Sequence, residues 1–223
     1  MAIMGKEAII IKNVEFDFKE FQTYVLNTIK DVIWESSSLN KKSDETVTRE
    51  NKIGLEAHPD AHGDAPGSMW CTVYLNDYWV SKIESTCGCK VQPEFYLWNF
   101  LDYKKLHMHI DANTFGYGRN AAAILPIEED FILNIHEDPP EGTPQNGSQL
   151  DSPIAYRQQY GPGQLCMLNN SEYWHSGDIT SHTRKSLHFY LDLVLPKKKQ
   201  GKWSMQELLD KGKTVDEVNS SKF

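Results

Sequence analysis

The sequence predicts a mainly β protein with flanking helices. Between about residues 93 and 195, short runs rich in aromatic and β-branched residues are separated by Gly, Pro and Asn. Short strands punctuated by turn residues are typical of an antiparallel sandwich or jelly roll. The predicted strands are 94–101, 105–110, 120–126, 130–136, 154–159, 164–169, 172–176 and 185–195.

The last predicted strand has one polar and one apolar face. Successive side chains of a strand point to opposite faces, and here Arg184, Ser186, His188 and Tyr190 share one parity. The other parity is apolar apart from Lys185 at its start. We expect the polar face to line a wet cavity and the apolar face to be covered by a helix.

A helix over 18–33 would provide that cover. Apolar residues recur at helical spacing along it. Asp17 and Glu20 form a start signal that resembles a capping box. Before this helix, the β-branched run in 7–12 predicts a short strand.

Other segments separate or follow these elements. Residues 36–68 and 137–153 are polar and predict loops, of which the first could act as a lid. The aromatic spacing of 69–84 favours a helix. In the tail, Ser204 and Thr214 each begin a capping-box pattern.

The length of 223 residues predicts one domain. Within it we expect residues 1–92 to support the sheet, 93–196 to form the β core and 197–223 to form a helical tail.

Composition narrows the possible partners. The formal net charge is −8, and an acidic protein repels polyanions, so a nucleic-acid partner is unlikely. No signal peptide or membrane-spanning run is evident, so we expect a cytoplasmic protein with reduced thiols and no membrane partner. The oligomeric state is not readable from the sequence.

Residues 106–111 contain the first chemical signal. On a strand His107, His109 and Asp111 point to one side. Two imidazoles and a carboxylate on one face suit a first-row transition metal.

A second segment completes a pattern. His175 lies 64 positions after Asp111, and Arg184-x-Ser186 begins 9 positions after His175. Across about residues 94–195, this order and spacing resembles the iron(II)/2-oxoglutarate-dependent oxygenases of the prolyl-hydroxylase-like group. The resemblance implies a double-stranded β-helix, also described as a jelly-roll or cupin-like fold.

The resemblance also implies the site and the reaction. His109, Asp111 and His175 would be both the metal ligands and the catalytic residues, holding Fe(II). Arg184 and Ser186 would bind 2-oxoglutarate, with Asn99 and Tyr103 as further candidates for that role. The enzyme would be a dioxygenase that uses O₂ to hydroxylate a protein side chain or a small metabolite, releasing succinate and CO₂.

Two alternatives remain open. A cupin-type metal enzyme without 2-oxoglutarate would use His107, His109 and His175, although a cupin would have a Glu shortly after the histidines and none follows here. A non-enzymatic jelly-roll binding module would keep the fold and not the chemistry.

Overall fold

The computed structural model describes residues 5–28, 46–48, 53–57, 69–101, 108–111, 121–140, 152–179, 183–195 and 203–214. Eleven strands lie in these ranges: β1 (Ile9–Asn13), β2 (Thr46–Thr48), β3 (Ile53–Ala57), β4 (Met69–Val73), β5 (Val91–Leu101), β6 (Ala122–Glu128), β7 (Phe131–His136), β8 (Ile154–Tyr160), β9 (Gln164–Leu168), β10 (His175–Ile179) and β11 (Thr183–Leu191). The α-helices are α1 (Phe18–Thr28), α2 (Asp77–Cys87) and α3 (Met205–Lys211). A short 3-10 helix, Lys6–Ala8, precedes β1.

The strands form two antiparallel sheets. The large sheet has the order β1-β9-β6-β11-β5-β4-β3-β2, and the small sheet has the order β10-β7-β8. Segment 108–111 joins the free edge of β10 through a bridge between His109 and His175. Strands β5, β11, β6 and β9 form one layer. Segment 108–111 and strands β10, β7 and β8 form a second layer that packs against the first. The chain winds back and forth between these layers, which confirms the predicted double-stranded β-helix.

Apolar residues fill the space between the two sheets, and we call this cluster the inner core. The large sheet contributes residues of β1, β6 and β9, and the small sheet contributes residues of β7 and β8. Its buried members are Ala8, Ile9, Ala122, Ile124, Phe131, Leu133, Ile135, Tyr160, Cys166, Leu168 and Tyr173. Interdigitation of these side chains holds the two layers face to face.

A second cluster, the outer core, lies between the large sheet and the helices. Phe21 and Val25 of α1 belong to it together with Leu187, Phe189 and Leu191 of β11. Helices α2 and α3 also contribute buried residues to it. The prediction that a helix covers the apolar face of the last strand is therefore confirmed.

The described helix starts match the capping signals. Asp17 Oδ1 accepts hydrogen bonds from the backbone N–H groups of Lys19, at 3.0 Å, and Glu20, at 3.1 Å. Ser204 and Glu207 form the reciprocal capping box at the start of α3. The described part of α1 ends at Thr28, and the predicted continuation over 29–33 lies outside the described residues.

The loop predicted over 36–68 is wrong in part. Strands β2 and β3 lie within it and extend the edge of the large sheet. Strand β2 has only three residues, and the alternating Ile53, Leu55 and Ala57 of β3 lie within a long polar stretch, so the overall composition of 36–68 favoured a loop. The rest of that segment, including His58 and His62, lies outside the described residues.

The helix predicted over 69–84 is also wrong in part. Residues 69–73 form β4, which pairs with β5, and only from Asp77 does the chain become helical. Asn76 separates the two elements, because its side chain accepts a hydrogen bond from Trp79 N and caps α2. Apolar residues repeat every second position in a strand and every three to four positions in a helix. Because β4 ends only a few residues before α2 begins, the two patterns overlap in the sequence and together predict one helix.

Several predicted strand boundaries also shift. Residues 6–8 form the 3-10 helix, so β1 begins at Ile9 and not at 7. Of the strand predicted over 105–110, residues 105–107 lie outside the described residues, and 108–110 contain only the isolated bridge at His109. A turn and a bend occupy 170–173, so β10 begins at His175 and not at 172. Strand β11 begins at Thr183 and ends at Leu191, after which Val194 bridges to Lys213. Among the described residues, no helix is both long and apolar enough to cross a membrane.

Candidate metal centre

His109 and His175 face each other across two neighbouring strand segments. His109 N donates to His175 O at 2.9 Å, and His175 N donates to His109 O at 3.0 Å. Residues that exchange both backbone hydrogen bonds lie directly opposite and share one face. Their ring centroids are accordingly 4.4 Å apart.

Asp111 joins this pair from two positions further along. Its backbone N donates to Asn170 O at 3.0 Å. Its Oδ1 lies 3.3 Å from His109 Nε2, and its Oδ2 lies 3.9 Å from His175 Nε2. One ligand atom from each residue lies within 4.8 Å of the others. The structure thus brings together the three residues predicted to bind metal.

The backbone sets the protonation of the His175 ring. Its Nδ1 lies 3.0 Å from Tyr173 O. A carbonyl oxygen can only accept, so Nδ1 carries the hydrogen and Nε2 keeps a free lone pair directed toward Asp111. This is the tautomer that a metal-binding imidazole needs.

Electrostatics favour the same protonation states. Burial, followed by the charge of His109, lowers the pKa of His175 to about 4. Burial acts to raise the pKa of Asp111. The hydrogen bond to His109, the charges of both histidines and the hydrogen bond from Asn170 outweigh burial and lower that pKa below its ordinary value. At neutral pH a neutral imidazole therefore lies beside an ionised carboxylate, as metal binding requires.

The donor set fits a divalent transition metal. Neighbouring ligands about 2.1 Å from an octahedral ion are about 3 Å apart. The 3.3 Å between Asp111 Oδ1 and His109 Nε2 is close to that separation, whereas Asp111 Oδ2 and His175 Nε2, at 3.9 Å, are further apart. The His175 side chain is only 7% exposed, whereas His109 and Asp111 are 29% and 34% exposed. His175 is therefore buried, while His109 and Asp111 are each partly exposed.

Ser186, predicted to bind 2-oxoglutarate, is fully buried on β11. Its Oγ lies 2.8 Å from His188 Nε2, two positions along on the same face. Arg184 has the same parity on the strand, and its backbone pairs with Phe100. The Arg184 side chain lies outside the described part of the structure.

The other two candidates for binding 2-oxoglutarate are Asn99 and Tyr103. Asn99 pairs with Lys185, whereas Trp98 pairs with Ser186. Asn99 therefore has the parity of Lys185 and not that of Ser186, and its side chain is outside the described residues. Tyr103 and His107 lie wholly outside them. The roles of Asn99 and Tyr103 stay predictions.

Sequence reasoning did not identify one residue that contacts the centre. Asn170 Nδ2 donates to Asp111 Oδ2 at 2.8 Å. The sequence feature that could have identified Asn170 is the pair Asn169-Asn170 directly after the apolar strand β9. Buried amides need hydrogen-bond partners, so such a pair indicates polar contacts nearby.

Comparison with known proteins gave structural likenesses only. No protein-family model and no curated protein sequence matches the chain. A prolyl hydroxylase from Trichoplax adhaerens, solved with a hypoxia inducible factor peptide fragment, is 11% identical with a TM-score of 0.49, covering 84% of each chain. A 2OG-Fe(II) oxygenase family protein from Burkholderia pseudomallei is 12% identical with a TM-score of 0.47, covering 82% of this chain and 84% of that one.

A third likeness is to ycfD from E. coli, at 9% identity and a TM-score of 0.44. It covers 92% of this chain but only 52% of ycfD, so this chain spans about half the length of that protein. Identities this low transfer no residue role to this chain. The solved structures similar to this chain thus include a prolyl hydroxylase and a member of the 2OG-Fe(II) oxygenase family, the family whose motifs the sequence resembles.

Proposed function

We propose that this protein is an Fe(II)- and 2-oxoglutarate-dependent dioxygenase that hydroxylates a protein side chain or a small metabolite. The observation that carries the proposal is the convergence of His109, Asp111 and His175 within 4.8 Å. Two imidazoles and one carboxylate with open positions form the ligand set of non-haem Fe(II) oxygenases.

Each residue then has a defined task. His175 offers its Nε2 lone pair, and Asp111 offers a negative oxygen. His109 Nε2 donates a hydrogen bond to Asp111 Oδ1 at 3.3 Å and would give up that hydrogen on binding the metal, because a ligating imidazole nitrogen carries none. Bound iron, with 2-oxoglutarate and O₂, supplies the oxidising chemistry in which succinate and CO₂ are released. Arg184 would anchor the far carboxylate of 2-oxoglutarate, because a guanidinium offers paired planar donors and keeps its charge.

Ser186 would add a second donor to that carboxylate under one condition. A hydroxyl has a single hydrogen to donate. Since Ser186 Oγ contacts His188 Nε2, the hydroxyl can donate to 2-oxoglutarate only if Nε2 itself carries a hydrogen and donates to Ser186. His188 would then set the direction of the Ser186 hydroxyl.

The proposal is tested by anaerobic Fe(II) titration and by succinate release across a panel of candidate substrates. We expect about one Fe(II) per chain and iron-dependent succinate formation. Metal binding without succinate would favour the cupin-type alternative. Neither activity would favour the binding module.

A matched pair of variants locates the metal. Asp111→Asn removes the ligand charge while keeping the side-chain size, and we expect it to abolish Fe(II) binding and succinate release. Asp178→Asn is the control, because Asp178 lies on the opposite face of β10 from His175 and contacts Arg157 at 3.1 Å. Normal Fe(II) binding by the Asp111 variant would place the metal elsewhere.

A further inference from the structure

The Asp111 carboxylate is held by a residue that is not itself a candidate ligand. Asn170 contacts Asp111 twice: its Nδ2 donates to Oδ2 at 2.8 Å, and its carbonyl accepts from the Asp111 backbone N at 3.0 Å. Asn170 is fully buried in the turn between β9 and β10. The same turn thus forms hydrogen bonds with both the backbone and the side chain of Asp111.

The orientation of the Asn170 amide follows from chemistry. An ionised carboxylate only accepts hydrogen bonds, so the donor end of the amide must face Asp111. The acceptor end, Oδ1, is buried and has no hydrogen-bond partner among the described residues. An unpaired buried carbonyl is unfavourable. Among the described residues, the hydrogen bond from Nδ2 to Asp111 is therefore the interaction that stabilises the Asn170 side chain.

We infer that Asn170 is a positioning residue that holds Oδ2 of Asp111 and leaves Oδ1 as the single ligand to the metal. This inference rests on the metal centre proposed above. A carboxylate can bind a metal through one oxygen or through both. Oδ1 lies 3.3 Å from His109 Nε2. Oδ2 lies 3.9 Å from His175 Nε2 and accepts the shorter contact from the Asn170 amide, at 2.8 Å.

The consequence concerns the open positions of the site. A carboxylate that bound through both oxygens would occupy one more position on the ion. That position is needed, because 2-oxoglutarate and O₂ must bind beside the three protein ligands. Asn170 would therefore preserve room for the reactants as well as orient Asp111.

Mn(II) is a suitable probe, because its binding and its coordinated waters are both read by electron paramagnetic resonance without turnover. We expect the wild type to bind Mn(II) with about three coordinated waters, counted by line broadening in ¹⁷O-enriched water. We expect Asn170→Ala to weaken Mn(II) binding about 10- to 100-fold and to lower the water count to about two.

Asn169→Ala is the matched control. Asn169 is the same residue type, is also buried and lies in the same turn, but its side chain contacts Ser171. We expect Mn(II) affinity within about 2-fold of wild type and an unchanged water count, because surrounding ligand contacts are intact. Equal weakening in both variants would reduce Asn170 to a packing role and overturn the inference.

The other possible results also test the role of Asn170. An unchanged water count in Asn170→Ala would overturn the inference while leaving the metal centre intact. If that variant does not fold, Asn170→Ser, which removes the amide donor but keeps a small polar side chain, is measured in its place with the same expected results. A wild-type count of about two waters would by itself overturn the inference, because both Asp111 oxygens would then bind. Failure of wild-type protein to bind either Mn(II) or Fe(II) would instead overturn the proposed function, and the inference with it.

Discussion

The two faces of strand β11 differ in burial and in chemistry. On the outer face, Leu187, Phe189 and Leu191 pack into the outer core beneath the helices. On the inner face, Ser186 hydrogen-bonds His188, and Tyr190 packs against the inner core. One nine-residue strand therefore serves the stability of the fold on one side and the candidate site on the other.

The comparison shows how a fold separates these two tasks. The outer face is stabilised by removal of apolar surface from water, which needs no specific partner. The inner face buries polar groups, and each of these needs a hydrogen bond to offset desolvation. Parity along the strand keeps the two kinds of residue apart, so substitutions on one face should leave the function of the other intact.

The largest expected effect is on the outer face. Phe189 is 1% exposed, and its ring lies 5.0 Å from that of Phe95. We expect Phe189→Ala to lower the free energy of unfolding by about 3–5 kcal/mol, through lost burial and a cavity. Denaturant unfolding measures this change. Mn(II) affinity, measured on the folded fraction, should stay at the wild-type value, and a large loss of affinity would show that the two faces are not independent.

Metal addition tests the inner face. A ligand that binds only the folded state at about 100 times its Kd raises the free energy of unfolding by about 2.7 kcal/mol. We expect this increment from Mn(II) in wild type and in Phe189→Ala, and its absence in His175→Ala. Thermal unfolding with and without Mn(II) measures it. An equal increment in His175→Ala would remove that residue from the ligand set.

The next effect concerns the co-substrate end of the polar face. Arg184→Lys keeps the charge but loses the planar donor pair. We expect 2-oxoglutarate affinity to fall about 10- to 150-fold, corresponding to about 1.5–3 kcal/mol. Titration of the Mn(II)-loaded protein with 2-oxoglutarate measures it. Arg157→Lys is the control, since Arg157 pairs with Asp178 away from the site. Unchanged affinity in the Arg184 variant would contradict its assignment.

The smallest effect lies away from both faces of β11. Ser204 Oγ accepts from Glu207 N at 3.2 Å in the capping box of α3. We expect Ser204→Ala to lower the free energy of unfolding by about 1 kcal/mol without changing Mn(II) affinity. Ser81→Ala, which removes an exposed hydroxyl within α2, should change stability by no more than about 0.5 kcal/mol. A similar loss in both variants would mean that the cap adds nothing specific.

Local patterns were sufficient for much of the fold. The alternation in β11, the capping signal at Asp17 and the capping box at Ser204 each depend on residues a few positions apart, and the structure contains all three. The place of β2 and β3 at the edge of the large sheet could not be predicted in this way. It depends on backbone pairing of β3 with β4, and a side-chain pattern does not identify the partner of a strand.

The candidate site, like the fold, could be predicted only in part from local patterns. The sequence by itself determined the ligand types and their parity, because H-x-D places two ligands on one face of a strand wherever that strand lies. Only the tertiary structure decided that His175 lies opposite His109 and that Asn170 contacts Asp111. Both contacts join segments about sixty residues apart in the chain, so their geometry exists only after these segments have come together in the folded protein.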